Sequence, residues 1–529
     1  MNSIWNRNIQ AFKNRFPSLT LIYHRFVNKS DFHFNFWEIS TAKDGNPTAS
    51  ENNFRLHSAY NPVREANGAI NRNEVLEKST IVFYGFGIGY HVVELAKAAP
   101  EKKIVLIEPD PERFFAALTL IDWTPVFAVE NLIIAISCPT ESVLPLIESH
   151  NTVNIGNTGV SDAYYFSIPT FTAHAQNYFD AVKQLIQRNI KKNDINAATL
   201  KRFGKLWVKN SLRNLSKMKE LDSILDFEGT LKEKNIPFLI VGAGPSLEQT
   251  LPLMSQLKKR MVIVCVETAL RSLLKNNVQP DFIILTDPQY WAYKHIAGYS
   301  APDSILITEI CTWSAVFRFN CREIRLCSSQ LPVGQYFESK IRQLGNLGAG
   351  GSVASSAWNF AYFCGARQIY TTGLDFAFPG KQTHITGSES EQKLHCISNR
   401  ISGVENATAS TIYNSNAVYA QDFNGNKVLT DSRMKMFAWW FESRLANCKD
   451  AKTFTLSPRG LNIPGMQICS IKKLLSLPEI TEQKKQFLNP EKKLTASQKT
   501  SFDKSFDELI KDFPNQEFFN QFGFLREYF

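Results

Sequence analysis

The stretch Ile236–Leu251, IPFLIVGAGPSLEQTL, constrains the chain more than any other. Its mostly apolar run Phe238–Gly242 reads as a buried parallel strand. The turn Gly242-Ala243-Gly244-Pro245-Ser246 follows at once, and a helix begins with Pro245 or Ser246 near its first turn and Glu248 inside it. Strand, glycine turn and helix N-terminus together form a ready anion site. The glycines let a ligand approach the backbone, and unpaired N–H groups point at it. A phosphate-bearing ligand is the expectation.

Residues 236–375 continue the pattern, strand alternating with helix, which predicts a parallel sheet with helices on both sides. MVIVCVETALRSLLKNN supplies a strand over Met261–Val266, a turn at Glu267-Thr268 and a helix. PDFIILTDPQ ends a strand at Asp287, and SILITEI and REIRLCS are further strands. A second glycine-rich turn, Gly348–Ser352, opens a small-residue helix, followed by the strand Gln368–Thr372 and Gly373-Leu374-Asp375. Ligands of open α/β sheets sit outside the carboxyl ends of the strands. Gly242, Gly244, Pro245, Ser246, Thr268, Asp287, Gly350, Gly351, Ser352 and Asp375 all fall at such ends or at helix starts. Two readings of Asp375 stay open, ligand contact and a carboxylate that holds its own loop.

A second nucleotide-fold pattern lies upstream. STIVFYGFGIGYHVVELAKAAPEKKIVLIEPDPERFFAAL reads strand, glycine turn, helix, strand, turn, helix. Gly85, Gly87 and Gly89 form GxGxG, and Glu108 ends the next strand, where a ribose hydroxyl is commonly held. The plainer reading is a Rossmann-like unit kept for its packing with an unused crevice. Glu108-Pro109-Asp110 reads as a strand-end turn rather than a metal-binding pair.

Around these units the chain is less informative. Residues 1–78 are turn-rich, and alternation in LTLIYHRF and FHFNFWEIS predicts a small, mainly β opening with an irregular segment over 46–73. Tyr178, Val182, Leu185, Ile186 and Ile190 mark an amphipathic helix, and FGKLWVKNSLRNL another; Asn210 and Asn214 share a face of it, read as capping a loop or lying at the surface, with ligand contact as the alternative. Residues 376–430 read as a long polar loop with His384 and His395. His384 lies nine residues after Asp375, beside the expected crevice, and is the candidate for proton transfer. Residues 431–529 read as helical, with Trp439 and Trp440 on one amphipathic helix and a break at Pro478.

Composition sets bounds. At 529 residues two to four domains are expected. The excess of 59 Lys+Arg over 49 Asp+Glu is moderate, and with no Arg-rich arm or aromatic–basic module it argues for a basic solvated surface, not a nucleic-acid partner. No run is apolar enough for a membrane span, and MNSIWNRNIQAFKNRF is too polar for a secretory signal, so a cytoplasmic location is expected. Nine scattered cysteines without a CxxC pair fit reduced thiols, with no metal cluster expected.

The run of motifs resembles the motility accessory factor (Maf) family of bacterial flagellin glycosyltransferases. The matching pieces are YGFGIGYHVVEL, VLIEPDPERFFAAL, FGKLWVKNSLRNL, VGAGPSLEQTLP, ETALRSLLKNNVQPDFIILTDPQ, GAGGSVASSAWNFAYFCGARQIYTTGLDFAF, KQTHITG and FNGNKVLTDSRMKMFAWWFE. The Maf core is similar to bacterial sialyltransferases, which share GxGPSL and a small-residue helix leading to a strand and GxD. The resemblance implies an α/β protein in three parts. These are an N-terminal domain over 1–170, a central Rossmann-like doubly wound parallel sheet with a helical lead-in over 171–430, and a helical C-terminal domain over 431–529. It also implies a glycosyltransferase. The donor would be a CMP-activated nonulosonic acid (pseudaminic, legionaminic or sialic-acid-like), the acceptor Ser or Thr of flagellin, and no cofactor would be tightly bound. Helix N-termini at Ser246 and Ser352 would stabilise the leaving phosphate, His384 would act as base, and Asp287 or Thr268 would hold ribose or base. Two departures bear on the site. Sialyltransferases usually carry Asn where this chain has Ala243, so backbone N–H groups must carry that contact. Their catalytic His also lies farther from GxD than His384 does, so the choice of His384 rests on the Maf-like THxxG pattern. The other readings are a pterin diphosphokinase, a non-enzymatic flagellin-binding chaperone and, from GxGxG, a methyltransferase.

Overall fold

The computed structural model describes residues 3–27, 35–71, 73–148, 163–348, 350–492, 496–521 and 526. The chain forms two compact units, residues 1–197 and 198–529.

In the first unit, strands β1 (Glu38–Thr41), β2 (Pro47–Glu51) and β3 (Phe54–Arg55) make a small antiparallel sheet. Strands β4 (Thr80–Tyr84), β5 (Lys103–Glu108), β6 (Leu132–Ile136) and β7 (Ala163–Ser167) form a parallel sheet in the order β6-β5-β4-β7. Strand β4 is buried throughout and β5 from Ile104 onward, as a parallel sheet covered on both faces requires. The opening is not mainly β. Ser3–Arg15 and Thr20–Val27 are helices, so LTLIYHRF is helical, and residues 32–34 of FHFNFWEIS lie outside the described residues. Period alone cannot settle so short a run; here Tyr23 is captured by Trp5 and Phe115. The supposedly irregular segment holds β2, β3 and the helix Pro62–Ile70, capped by Asn61, whose side chain accepts the Arg64 N–H at 2.7 Å.

The second unit is built on an eight-stranded parallel sheet. Its strands, in chain order, are β8 (Phe238–Val241), β9 (Val262–Val266), β10 (Phe282–Leu285), β11 (Ser300–Thr308), β12 (Asn320–Leu326) and β13 (Gln368–Thr372). The hairpin β14 (Val418–Gln421) and β15 (Lys427–Thr430) follows outside the sheet, and β16 (Lys452–Thr455) and β17 (Gln467–Ile468) complete it. The spatial order is β12-β11-β10-β9-β8-β13-β16-β17, all pairs parallel. The chain winds outward from β8 to β12, returns to β13 on the other side of β8, and continues to the opposite edge. This is a doubly wound sheet with its switch between β8 and β13.

Two boundaries differ from the sequence reading. The first part of the helix Gln176–Asn214 belongs to the first unit, because Phe179, Val182 and Ile186 pack on Val82, Tyr84 and Ile107. Residues 431–529 are not a separate helical domain. β16 and β17 extend the central sheet, and Phe441, Leu445, Met466 and Phe487 lie in its core. Lys484 also reaches below the sheet to Asp281 at 2.6 Å and to the Met261 carbonyl at 3.0 Å. Nor is 376–430 a bare loop. It holds the helices Glu389–Ile397 and Val404–Asn414 and the β14–β15 hairpin, whose turn is tied by Asp422 accepting the N–H groups of Asn424 and Asn426 at 2.8 Å each. Its polar composition reflects helices lying largely at the surface.

Candidate functional site

The GxGxG turn of the first unit is filled by protein. A side chain at Gly87 would stand 2.8 Å from both His57 Nε2 and the Phe171 ring, and one at Gly89 would collide with the Trp123 indole. The Ile88 N–H donates to His57 Nε2 at 3.0 Å, so the turn's amide is also taken. Glu108 is buried and meets His174 Nε2 at 2.8 Å, while Asp110 caps the helix Pro111–Leu120 by accepting the Glu112 N–H. The turn is a packing device, and the strand-end reading of Glu108-Pro109-Asp110 fits the geometry.

At the switch point of the second unit, the turn after β8 and the turn after β13 are bonded to each other. The N–H of Gly242 donates to the Thr372 carbonyl at 2.9 Å and that of Gly244 to the Gly373 carbonyl at 2.8 Å. The Ser246 N–H donates to Asp375 Oδ2 at 3.0 Å, and Ser246 Oγ lies 2.6 Å from Ser457 Oγ. A Cβ on Gly242 would stand 2.5 Å from the Gly373 carbonyl oxygen, and one on Gly244 would run into Asp375. The glycines are therefore required by the close approach of two strand-end turns, and the amides of Gly242, Gly244 and Ser246 are occupied by the neighbouring loop rather than open to a phosphate. The helix that follows is only Leu247–Thr250. Asp375 holds this joint through Oδ2, its Oδ1 is buried and unpartnered, and burial raises its pKa.

The open crevice lies apart from that joint, lined by the loops that follow β10, β11 and β12 and by the start of the helix Val353–Cys364. It encloses about 220 Å³. Of the residues read as donor contacts, Asp287, Gly350, Gly351 and Ser352 line it. Ser352 is the N-cap of the helix Val353–Cys364, its hydroxyl accepting the Ala354 N–H at 3.3 Å, so the positive end of a three-turn helix faces the crevice. Asp287 is anchored by the Gln289 N–H at 2.8 Å, and burial raises its pKa.

Sequence reasoning missed Trp207 and Glu309. Glu309 is 4% exposed, lines the crevice, and leaves Oε2 without a hydrogen-bond partner. Burial pushes it up to about 7, against the opposing pull of Ser329, the Cys311 thiol and the Gln330 amide. Trp207, also on the wall, leaves its indole N–H unpartnered. Asn210 and Asn214 are buried rather than at the surface, and they cap loops. Asn210 Nδ2 donates to the carbonyls of Pro288 at 3.0 Å and Cys311 at 2.9 Å, and Asn214 Nδ2 to those of Ile310 and Thr312 at 2.8 Å each. They bolt the helix face that carries Trp207 onto the loops after β10 and β11. The available signal was the spacing 207, 210, 214 on one helical face.

A chain of titratable groups runs along the strand ends. Glu267, at the end of β9, is buried with Oε2 unpartnered; burial, with the Asp287 charge adding, pushes it up to about 8. Asp287 in turn acts on His295, and His295 on His384. His384 is half-buried; burial, then His295 and Arg433, lowers it to about 4, and its Nδ1 has no partner. The loop itself is placed over the β8 turn by Ile385 N–H donating to the Ala243 carbonyl at 2.8 Å. Thr268, already helical, does not line the crevice. Among the described residues no group of three or more His, Cys, Asp or Glu is arranged to hold a metal ion, and no helix is long and apolar enough to cross a membrane.

These features define a doubly wound α/β protein with a crevice at its strand ends, accompanied by a second Rossmann-like unit. That fold is shared with a structure described as MAf glycosyltransferase from Magnetospirillum magneticum AMB-1: the TM-score is 0.57 at 15% identity, covering 96% of this chain and 78% of that one. Residues 39–132 match the glycosyltransferase Maf N-terminal domain, and residues 209–381 match the 6-hydroxymethylpterin diphosphokinase MptE-like family. The Maf match is thus a family match over residues 39–132 and a likeness of fold over the rest of the chain. It is 33% identical over 230 residues to an uncharacterized protein of Treponema pallidum (strain Nichols), a match covering 38% of this chain and 58% of that protein. A second protein of that organism, also uncharacterized, is 25% identical over 261 residues, 48% of this chain and 85% of the relative. The chain thus spans under two thirds of the first relative's length.

Proposed function

We propose that the protein transfers a nonulosonic acid from its CMP donor to Ser or Thr hydroxyls of flagellin, in the cytoplasm. The observation that carries this reading is the N-terminus of the helix Val353–Cys364, capped by Ser352, opening on a crevice walled by Asp287 and Glu309. In the transfer, the bond between the sugar's anomeric carbon and the phosphate oxygen breaks and CMP leaves with the electron pair. Charge grows on that phosphate, and the helix N-terminus near Gly350, Gly351 and Ser352 stabilises it. The acceptor oxygen forms the new bond and gives up its proton. His384 is the base assigned to that proton. At a pKa of about 4 it is neutral and able to accept at neutral pH, though as a weak base, so the phosphate stabilisation carries more of the rate. Asp375, Gly242, Gly244, Pro245 and Ser246 act by holding the β8–β13 joint of the sheet.

The test is the intact mass of flagellin from cells with and without the protein, and from cells carrying His384→Ala or Ser352→Ala. Loss of the glycan mass in the variants, with folding retained, is expected; unchanged glycan in the strain lacking the protein refutes the assignment. The match of residues 209–381 to the MptE-like family favours a second reading, diphosphate transfer from ATP to a pterin alcohol. Purified protein that releases AMP from ATP and hydroxymethylpterin with Mg²⁺, and no CMP from a CMP-sugar, establishes that reading instead.

A further inference from the structure

The crevice holds two polar atoms that the protein leaves unsatisfied, and they differ in kind. Glu309 offers an acceptor, Oε2, from a side chain that is 4% exposed. Trp207 offers a donor, its indole N–H. A buried polar atom without a partner is costly, so a site that keeps two of them is built for a ligand that completes both. That ligand must present an N–H or O–H and a carbonyl-type oxygen on one rigid frame. The rest of the wall narrows the choice. Pro288, Leu331, Val353 and the Trp207 ring are apolar, and they suit the faces of a flat ring better than a sugar diol. The volume of about 220 Å³ lies below the ~300 Å³ at which pockets for whole drug-sized ligands begin, so the crevice takes one part of a donor. The Ser352-capped helix end on the same wall places that part next to a phosphate.

Resting on the nucleotide-sugar reading, we propose that Glu309 and Trp207 form the base-recognition site. Glu309 Oε2 accepts an N–H from the exocyclic amine of a cytosine-type base, and the Trp207 indole N–H donates to its ring carbonyl. A carboxylate accepting from the exocyclic amine is a known way to read cytosine. A uracil-type base puts a carbonyl oxygen where the amine would be and faces Oε2 with a second acceptor. Asn210 and Asn214 are positioning residues here, since they hold the Trp207 helix face against the loop that carries Cys311. Ser329, Cys311 and the Gln330 amide already face this carboxyl, and Oε2 is the oxygen left over for the base.

The test is calorimetric titration of the full chain with CMP, UMP and 2′-deoxy-CMP, using wild type, Glu309→Gln and Trp207→Phe. Wild type is expected to prefer CMP over UMP by about ten- to a hundred-fold, with 2′-deoxy-CMP close to CMP. Glu309→Gln brings the CMP/UMP ratio to within about threefold of unity, because the amide N–H of Gln also serves the uracil oxygen. Trp207→Phe keeps the ring but not the N–H, so it weakens both nucleotides by about three- to tenfold and keeps their ratio. A CMP/UMP ratio unchanged by Glu309→Gln overturns the inference while leaving the nucleotide-sugar reading standing. A 2′-deoxy-CMP deficit that Glu309→Gln erases also overturns it, by moving Glu309 to the ribose. Wild type that binds none of the three removes the nucleotide reading and the inference with it.

Discussion

Asn210→Ala is the perturbation whose effect follows most directly from the geometry. The side chain is 1% exposed and both of its N–H groups are used, on the carbonyls of Pro288 and Cys311. Its removal leaves two carbonyl oxygens without this donor at about 1–3 kcal/mol each, and partial relaxation brings the sum to roughly 2–4 kcal/mol. Unfolding entropy of about 2.1 cal/mol/K per residue over a unit of roughly 330 residues converts this to a fall in Tm of about 3–6 °C. Thermal and denaturant unfolding of the purified chain measure it, with tryptophan fluorescence following the Trp207 face. Asn210→Asp separates the hydrogen bonds from the packing. Its carboxylate keeps the shape but turns acceptor oxygens toward two carbonyls, so at pH 7 it destabilises more than Ala. Its folded-state pKa is raised, so the missing stability is present below the unfolded carboxylate pKa of about 3.9 and lost as pH rises. A Tm for Asn210→Ala within 1 °C of wild type, or Asn210→Asp milder than Asn210→Ala at neutral pH, refutes the clamp.

The remaining predictions concern other parts of the chain. Gly244→Ala drives a methyl into Asp375 and is expected to destabilise by about 1–3 kcal/mol, whereas Gly68→Ala, in the helix Pro62–Ile70 with open space around it, stabilises by about 0.5–1 kcal/mol; paired urea melts check both. Glu267 is raised to about 8, so its contribution is full below pH 4.5 and lost as pH climbs toward 8; Glu267→Gln should match wild type near pH 4 and exceed it increasingly up to pH 8 in a pH series of melts. S-adenosylmethionine at millimolar concentration should leave the melting curve unmoved, since His57, Phe171 and Trp123 fill the GxGxG turn; a clear rise in Tm would show that turn to be a ligand site.

Much of this was legible in the chain because local chemistry determines it. The apolar runs at Phe238–Val241, Val262–Val266 and Phe282–Leu285, each followed by a turn or a helix start, dictate buried parallel strands, and from them the doubly wound class. The Ser352 cap and the small-residue helix behind it were equally local. Only the tertiary structure decided which loops meet. The β8 turn carries the composition of a phosphate cradle, yet its amides go to β13, because the switch in strand order places two strand-end turns side by side and a bonded joint satisfies both. The spacing of Trp207, Asn210 and Asn214 marked a helix face, but not its partners: the carbonyls Asn210 holds lie 78 and 101 residues away, and Glu309 sits in an ordinary-looking segment. Strand and helix follow from side-chain period and backbone preference, which act over a few residues. Pairing of buried donors and acceptors, and the pKa values that go with burial, depend on which distant segments exclude water together, and that is settled only when the chain packs.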